Sequence, residues 1–191
     1  MCPRKQKQEK KMAIKTLGGN KWIELREMVL PDQGVRGYTY SHETRCDGHI
    51  VSVLPYRTDD KGNLTEVMVR MEVTPCWEMK PVMSSITGGV EKDDDGELDP
   101  LATAVLELHE EAGLKVKPSD IESLGTCYGV KSSDTTYHLY AVNATGLSSG
   151  SAEGDGSELE KKAWCEWATP KKLLKAQDPF LAMLFIRLVM R

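Results

Sequence analysis

The chain has 191 residues, is 40% hydrophobic and 28% charged, and carries a net charge of −4. These values suit one globular domain and exclude a general affinity for nucleic-acid backbone. The five cysteines (Cys2, Cys46, Cys76, Cys127, Cys165) include no CxxC pair, so neither a zinc site nor a disulfide framework is expected; reduced thiols in the cytoplasm are the simplest reading.

Residues 1–19 are basic and polar at their start and lack the apolar centre of a secretory signal. A flexible tail is expected there, with a nuclear address as the alternative location. No apolar run approaches the ~20 residues of a membrane span, so no membrane partner is expected. Residues 22–30 and 37–44 read as strands joined by a turn at Pro31-Asp32-Gln33-Gly34, and form an antiparallel extension over residues 20–47. Residues 49–56 and 66–73 read as a hairpin around Asp59-Asp60-Lys61-Gly62-Asn63. A loop between Pro75 and Pro81 leads to a short strand over 82–86, then Gly88-Gly89 and an acidic loop over 91–97.

The best-defined helix follows. Asp99 suits the N-cap, Pro100 the first helical position and Gly113 the stop. Leu101, Val105, Leu108 and Ala112 form one apolar stripe. Strands are expected over 121–130, 136–142 and 162–168, a mobile Gly/Ser-rich loop over 144–157, a short helix at Pro170 and a last helix capped by Asp178-Pro179. Strands and helices interleave without βαβ repeats, which predicts an α/β (α+β) fold with a mixed sheet sandwiched between helices over residues 48–191.

Glu107, Glu110 and Glu111 occupy i, i+3 and i+4 of the capped helix. Like charges at that spacing repel, and a hard cation such as Mg²⁺ removes the repulsion because carboxylate oxygens are its preferred ligands. An isolated pattern of this kind is more often a solvated acidic face, so its surroundings decide.

Those surroundings are Gly88-Gly89, the acidic loop, Gly96-Glu97, and then Leu106-Glu107-Leu108-His109-Glu110-Glu111-Ala112-Gly113-Leu114. They resemble the Nudix box: a glycine, a glutamate further along, and Arg-Glu-apolar-x-Glu-Glu-x-Gly-apolar. The resemblance implies the Nudix fold, Glu107, Glu110 and Glu111 as ligands of Mg²⁺ (Mn²⁺ as the alternative), and catalytic roles for Glu107 and Glu111. The chain departs from the motif in three places. Leu106 stands in place of Arg, the loop from Gly89 to Glu97 is longer than the pattern, and Glu97 is shifted from the helix as if Leu98 were inserted. The family Arg orients a motif glutamate, and Glu110, one turn from Leu106, is the natural partner to lose a contact.

Residues 21–25, 37–45 and 51–57 resemble the N-terminal strands of eukaryotic ADP-sugar pyrophosphatases, with ADP-ribose as the leading substrate. The resemblance implies that Trp22 and Tyr40 stack on adenine, that Arg45 and Arg70 contact the diphosphate, and that Gly89 lies at the substrate. Strand packing is the competing reading for both aromatics. Glu158, after Gly154-Asp155-Gly156-Ser157, matches the loop that carries the catalytic base, with Glu160 as the alternative. A homodimer is implied, in which the extension crosses to the partner. A Nudix enzyme for other nucleotides, or a Nudix-fold module that binds a nucleotide-sugar without cleaving it, are the alternatives.

Overall fold

The computed structural model describes residues 12–92, 95–150 and 158–191. Ten strands and two α-helices are found among them. β1 (Ala13–Gly19), β2 (Ile23–Leu30) and β3 (Val35–Glu43) form a separate antiparallel sheet. β4 (His49–Thr58), β5 (Leu64–Glu72), β6 (Val82–Ser84), β7 (Ile86–Gly89), β8 (Ile121–Tyr128), β9 (Thr136–Asn143) and β10 (Trp164–Ala168) form the main sheet. Its path is β10-β5-β4-β9-β8, with β6 on β5 and β7 on β4. β4 and β9 run parallel while the other pairs are antiparallel, so the sheet is mixed.

The side-chain alternation of a strand decides which helix each residue meets. Val51 and Val53 of β4 and Met68 of β5 pack with Ala104, Leu108 and Ala112 of α1 (Pro100–Ala112). Leu54 and Tyr56 of β4 and Val67 and Val69 of β5 pack with Leu181, Leu184 and Leu188 of α2 (Pro179–Val189). Both faces of the central strands are covered, which is why they read as near-continuous apolar runs. Burying one Val or Leu side chain in this way is worth ~1.5–3 kcal/mol.

α1 begins and ends as its local sequence dictates. The Asp99 carboxylate accepts from the Ala102 amide at 2.9 Å, and Gly113 closes the helix at φ 63. A Cβ on Gly113 would be strained by that φ and would also run into the backbone of Gly150, whose amide donates to Gly113 O at 2.8 Å. The buried stripe is rotated from the expected one: Ala104, not Val105, faces the sheet.

Two other expectations change. The tail is shorter than residues 1–19, because Ala13–Gly19 pairs with β2 as an edge strand; residues 1–11 lie outside the described residues. The single strand expected over 82–86 is two, β6 and β7, which break at Ser85 and pair with different neighbours.

That break is held by a buried carboxylate. Asp178 caps α2 by accepting from the Phe180 amide at 2.8 Å, and its other oxygen accepts from both the amide and the hydroxyl of Ser85, each at 2.8 Å. Ser52 donates in turn to the Ser85 hydroxyl at 2.8 Å. The network ties the strand that leads to Gly88 to the opposite helix. Asp178→Ala leaves buried donors unsatisfied and removes a cap, so it is expected to cost about 2–4 kcal/mol in urea unfolding; a loss under about 0.5 kcal/mol, typical of an inert surface site, would contradict this role.

Candidate active site

The three glutamates of α1 are half-buried, not turned out to solvent. Glu107 lies against β7, so close that a Cβ on Gly88 would overlap its carboxylate. Glycine at 88 is therefore a matter of space: the missing side chain is where the carboxylate sits. Glu111, one turn on, forms an ion pair with Arg70 of β5, Nη1 to Oε1 at 2.6 Å.

Among the described residues, no three His, Cys, Asp or Glu side chains stand close enough to hold an ion together as placed. Glu107 and Glu111 settle on different neighbours of the helix, Gly88 of β7 and Arg70 of β5. The donor set itself is all oxygen, which suits a hard divalent cation, and the Gly88 gap lets one carboxylate reach the strand backbone. The residues therefore fit such an ion.

Gly89 continues the site outward. A Cβ there would lie 3.1 Å from the Arg45 guanidinium, which places Arg45 directly over this glycine. The Arg45 guanidinium in turn stands 5.5 Å from the centre of the Trp22 ring, and the Lys21 ammonium stands 4.5 Å from it. Trp22 is 48% exposed. Trp22, Arg45, Gly89, Gly88 and Glu107 are thus successive neighbours from the extension to the helix, with Arg45 and Glu107 meeting β7 from opposite faces.

Beside these residues is an open cavity of about 440 Å³, whose lining includes Arg26, Arg45, Lys92, Asp47 and Glu91. Its size falls in the range of small-molecule sites. A larger cavity of about 630 Å³ lies between Trp77, Tyr137 and Phe180 on the α2 side of the sheet. Neither cavity is lined by an α1 carboxylate; the smaller one is the candidate because Arg45, which stands over Gly89, lines it.

The remaining expected residues are placed as follows. Tyr40 is buried at 5% exposure, so its ring is not open for stacking in this chain. The alternation of β3 explains this: Tyr38, Tyr40 and His42 share a face, and that face is tied to the β8–β9 connection by Tyr38 OH donating to Lys131 O and by His42 Nδ1 at 3.0 Å from Asp134. Arg70 is also buried, at 6% exposure, with Glu72 at 3.0 Å on its other side. Glu158 is exposed and pairs with Lys161 at 2.7 Å. The Gly-Asp-Gly of the expected base loop and the Glu160 side chain lie outside the described residues.

Leu106 is half exposed. Leu98 has a structural role, packing against the α1 core while bridging back to Lys92. Sequence reasoning missed the Arg70–Glu111 pair, because nothing local links positions so far apart. The basic residue within an otherwise apolar strand, Val69-Arg70-Met71, was the available signal: a cation on a buried strand needs an acidic partner nearby.

A profile of the NUDIX domain matches residues 48–186, and the chain belongs to that family. Among solved structures, it is similar to one described as "Crystal structure of ADP compounds hydrolase", with a TM-score of 0.66, 15% identity, and 97% of this chain and 96% of that chain covered. At that identity the likeness establishes the shared fold, a mixed sheet with a few helices. No curated protein matches the chain. Among the described residues, no helix is long and apolar enough to cross a membrane.

Proposed function

We propose that this Nudix protein hydrolyses the diphosphate bond of ADP-ribose or a related nucleoside diphosphate sugar, giving AMP and a sugar phosphate. The observation that carries this reading is the succession Trp22, Arg45, Gly89, Gly88, Glu107. It sets an exposed indole, a guanidinium and a carboxylate helix in the order in which a base, a diphosphate and its counter-ion follow one another. The similar solved structure, described as an ADP compounds hydrolase, agrees with that choice of substrate class.

Glu107, Glu110 and Glu111 would hold Mg²⁺ or Mn²⁺. Such an ion neutralises the diphosphate oxygens and stabilises charge on the leaving phosphate. Trp22 stacks on the base, which is worth ~1–3 kcal/mol, and Arg45 holds the diphosphate from the opposite side to the helix. The backbone of Gly88 and Gly89, free of side chains, lets Glu107 and Arg45 both stand against β7. Glu158, with Glu160 as the alternative, takes the proton from the water that attacks phosphorus in line. Its exposed pairing with Lys161 is weak enough to break.

The extension has a second part in the proposal. Ile23 and Leu25 are large and exposed on one face of its sheet and Ile14 on the other, and exposed apolar surface of this kind marks an interaction site. A homodimer covers it and brings a second ring to the base from the partner, since Tyr40 is buried in its own chain. The enzyme is proposed to work in the cytoplasm; the described cysteines, Cys46, Cys76, Cys127 and Cys165, are all free thiols.

Incubation with ADP-ribose and Mg²⁺ is expected to release AMP. Glu111→Gln is expected to cut turnover by orders of magnitude with the circular dichroism spectrum unchanged; equal activity of variant and parent would refute its role. Trp22→Ala is expected to raise KM for ADP-ribose about tenfold or more, as loss of a stacked base implies; an unchanged KM would make Trp22 a packing residue. The absence of Arg at 106 favours one competing reading, a module that binds nucleotide-sugars without cleaving them. Thermal stabilisation by ADP-ribose with no AMP formed in Mg²⁺ or Mn²⁺ would establish it instead.

A further inference from the structure

A guanidinium buried within a sheet needs partners for its charge and for its N–H groups. Arg70 has two. Its Nε lies 3.0 Å from Glu72 Oε2, and its Nη1 lies 2.6 Å from Glu111 Oε1. Glu72 is fixed from its other side, because its Oε1 accepts the Ser84 hydroxyl at 2.9 Å. Ser84 is the residue that faces Arg70 across the β5–β6 pairing. The chain of contacts therefore runs Ser84, Glu72, Arg70, Glu111, from the sheet to the carboxylate helix.

Two features argue against Arg70 as a clamp on substrate phosphate. The side chain is 7% exposed, and its Nε and Nη1 are already committed. Two others argue for a role in orienting Glu111. The planar fork of arginine fixes the direction of a carboxylate in a way that a point charge does not. Leu106 leaves α1 without a cation of its own on the turn that precedes Glu110 and Glu111. A bare guanidinium beside a metal site would repel the ion it helps to seat; the Glu72 carboxylate cancels that charge and leaves only the orienting effect.

We propose that Arg70 is the positioning residue for Glu111, supplying from β5 the cation that α1 lacks at Leu106, and that Glu72, held by Ser84, neutralises it so that a divalent ion can bind beside it. This rests on the reading of Glu111 as a metal-holding carboxylate. It assigns Arg70 an action through Glu111, not a contact with substrate.

The test is a titration with Mn²⁺ alone, followed by paramagnetic resonance, on the full chain and on Arg70→Met, Arg70→Lys, Glu72→Gln and Glu111→Gln. Loss of an outer partner of a metal ligand typically weakens binding 10–100-fold. Arg70→Met is expected to weaken Mn²⁺ binding by about that factor and to lower kcat for ADP-ribose while leaving KM close to that of the parent. Arg70→Lys is expected to recover part of the affinity, and Glu72→Gln to weaken it about tenfold through the uncancelled charge. If Arg70→Met does not fold, Arg70→Lys and Glu72→Gln carry the test, since each keeps a hydrogen-bonding group in place.

Parent-like Mn²⁺ affinity in both Arg70→Lys and Glu72→Gln would overturn the proposal. So would an Arg70→Met protein that binds Mn²⁺ normally and raises only KM, which would make Arg70 a substrate clamp. Glu111→Gln separates the two layers of the argument. If it binds Mn²⁺ as the parent does, the metal role of Glu111 itself fails; if it binds weakly while the Arg70 and Glu72 variants bind normally, only the positioning role fails.

Discussion

Three carboxylates on neighbouring turns of one helix repel one another, and the surroundings of α1 are built to hold them where they are. Glu107 rests in the space left by the absent side chain of Gly88. Glu111 is held on Arg70. The helix can carry this charge because its other face is anchored: Ala104, Leu108 and Ala112 pack against Val51, Val53 and Met68 in the main core. The Asp99 cap and the Gly113 stop fix where the helix begins and ends. Burial on one side thus supports a repulsive arrangement on the other, and a bound divalent cation would convert that repulsion into attraction.

The same glycine pair joins the helix to the extension. Gly88 admits Glu107 and Gly89 admits Arg45, so one bare stretch of β7 is approached from both faces. The extension is held in register by contacts with the β8–β9 connection: Ser41 N donates to Ser132 O at 2.8 Å, and His42 bonds Asp134. On the far side of the sheet, Asp178 and Ser85 lock the junction from which β7 departs. The position of the proposed site therefore depends on polar contacts made by elements on both sides of the sheet.

Much of this was legible in the chain alone, where the signals were local. Asp99, Pro100 and Gly113 determine a helix through their own backbone preferences, and the apolar runs of β4 and β5 announce strands covered on both faces. The Glu107, Glu110 and Glu111 pattern is visible because helical spacing is regular. What could not be read depends on distant partners. Ala13–Gly19 has no strong strand pattern and becomes a strand because β2 offers it an edge. Val105 and Ala104 are both apolar enough to face the core, and only the packing of the helix on the sheet decides that Ala104 is the one buried. Tyr40 is buried because β3 lies on the 129–135 connection, which no local feature of β3 foretells. The pairing of Arg70 with Glu111 spans two elements and follows only from the fold.

The most direct test of this account is a crystal grown with Mn²⁺ and examined by anomalous scattering. The account predicts a peak between β7 and α1, in contact with the carboxylates of Glu107 and Glu111, with Arg70 still paired to Glu111. A saturated crystal with no peak there, and with those carboxylates in the same places as without metal, would contradict it.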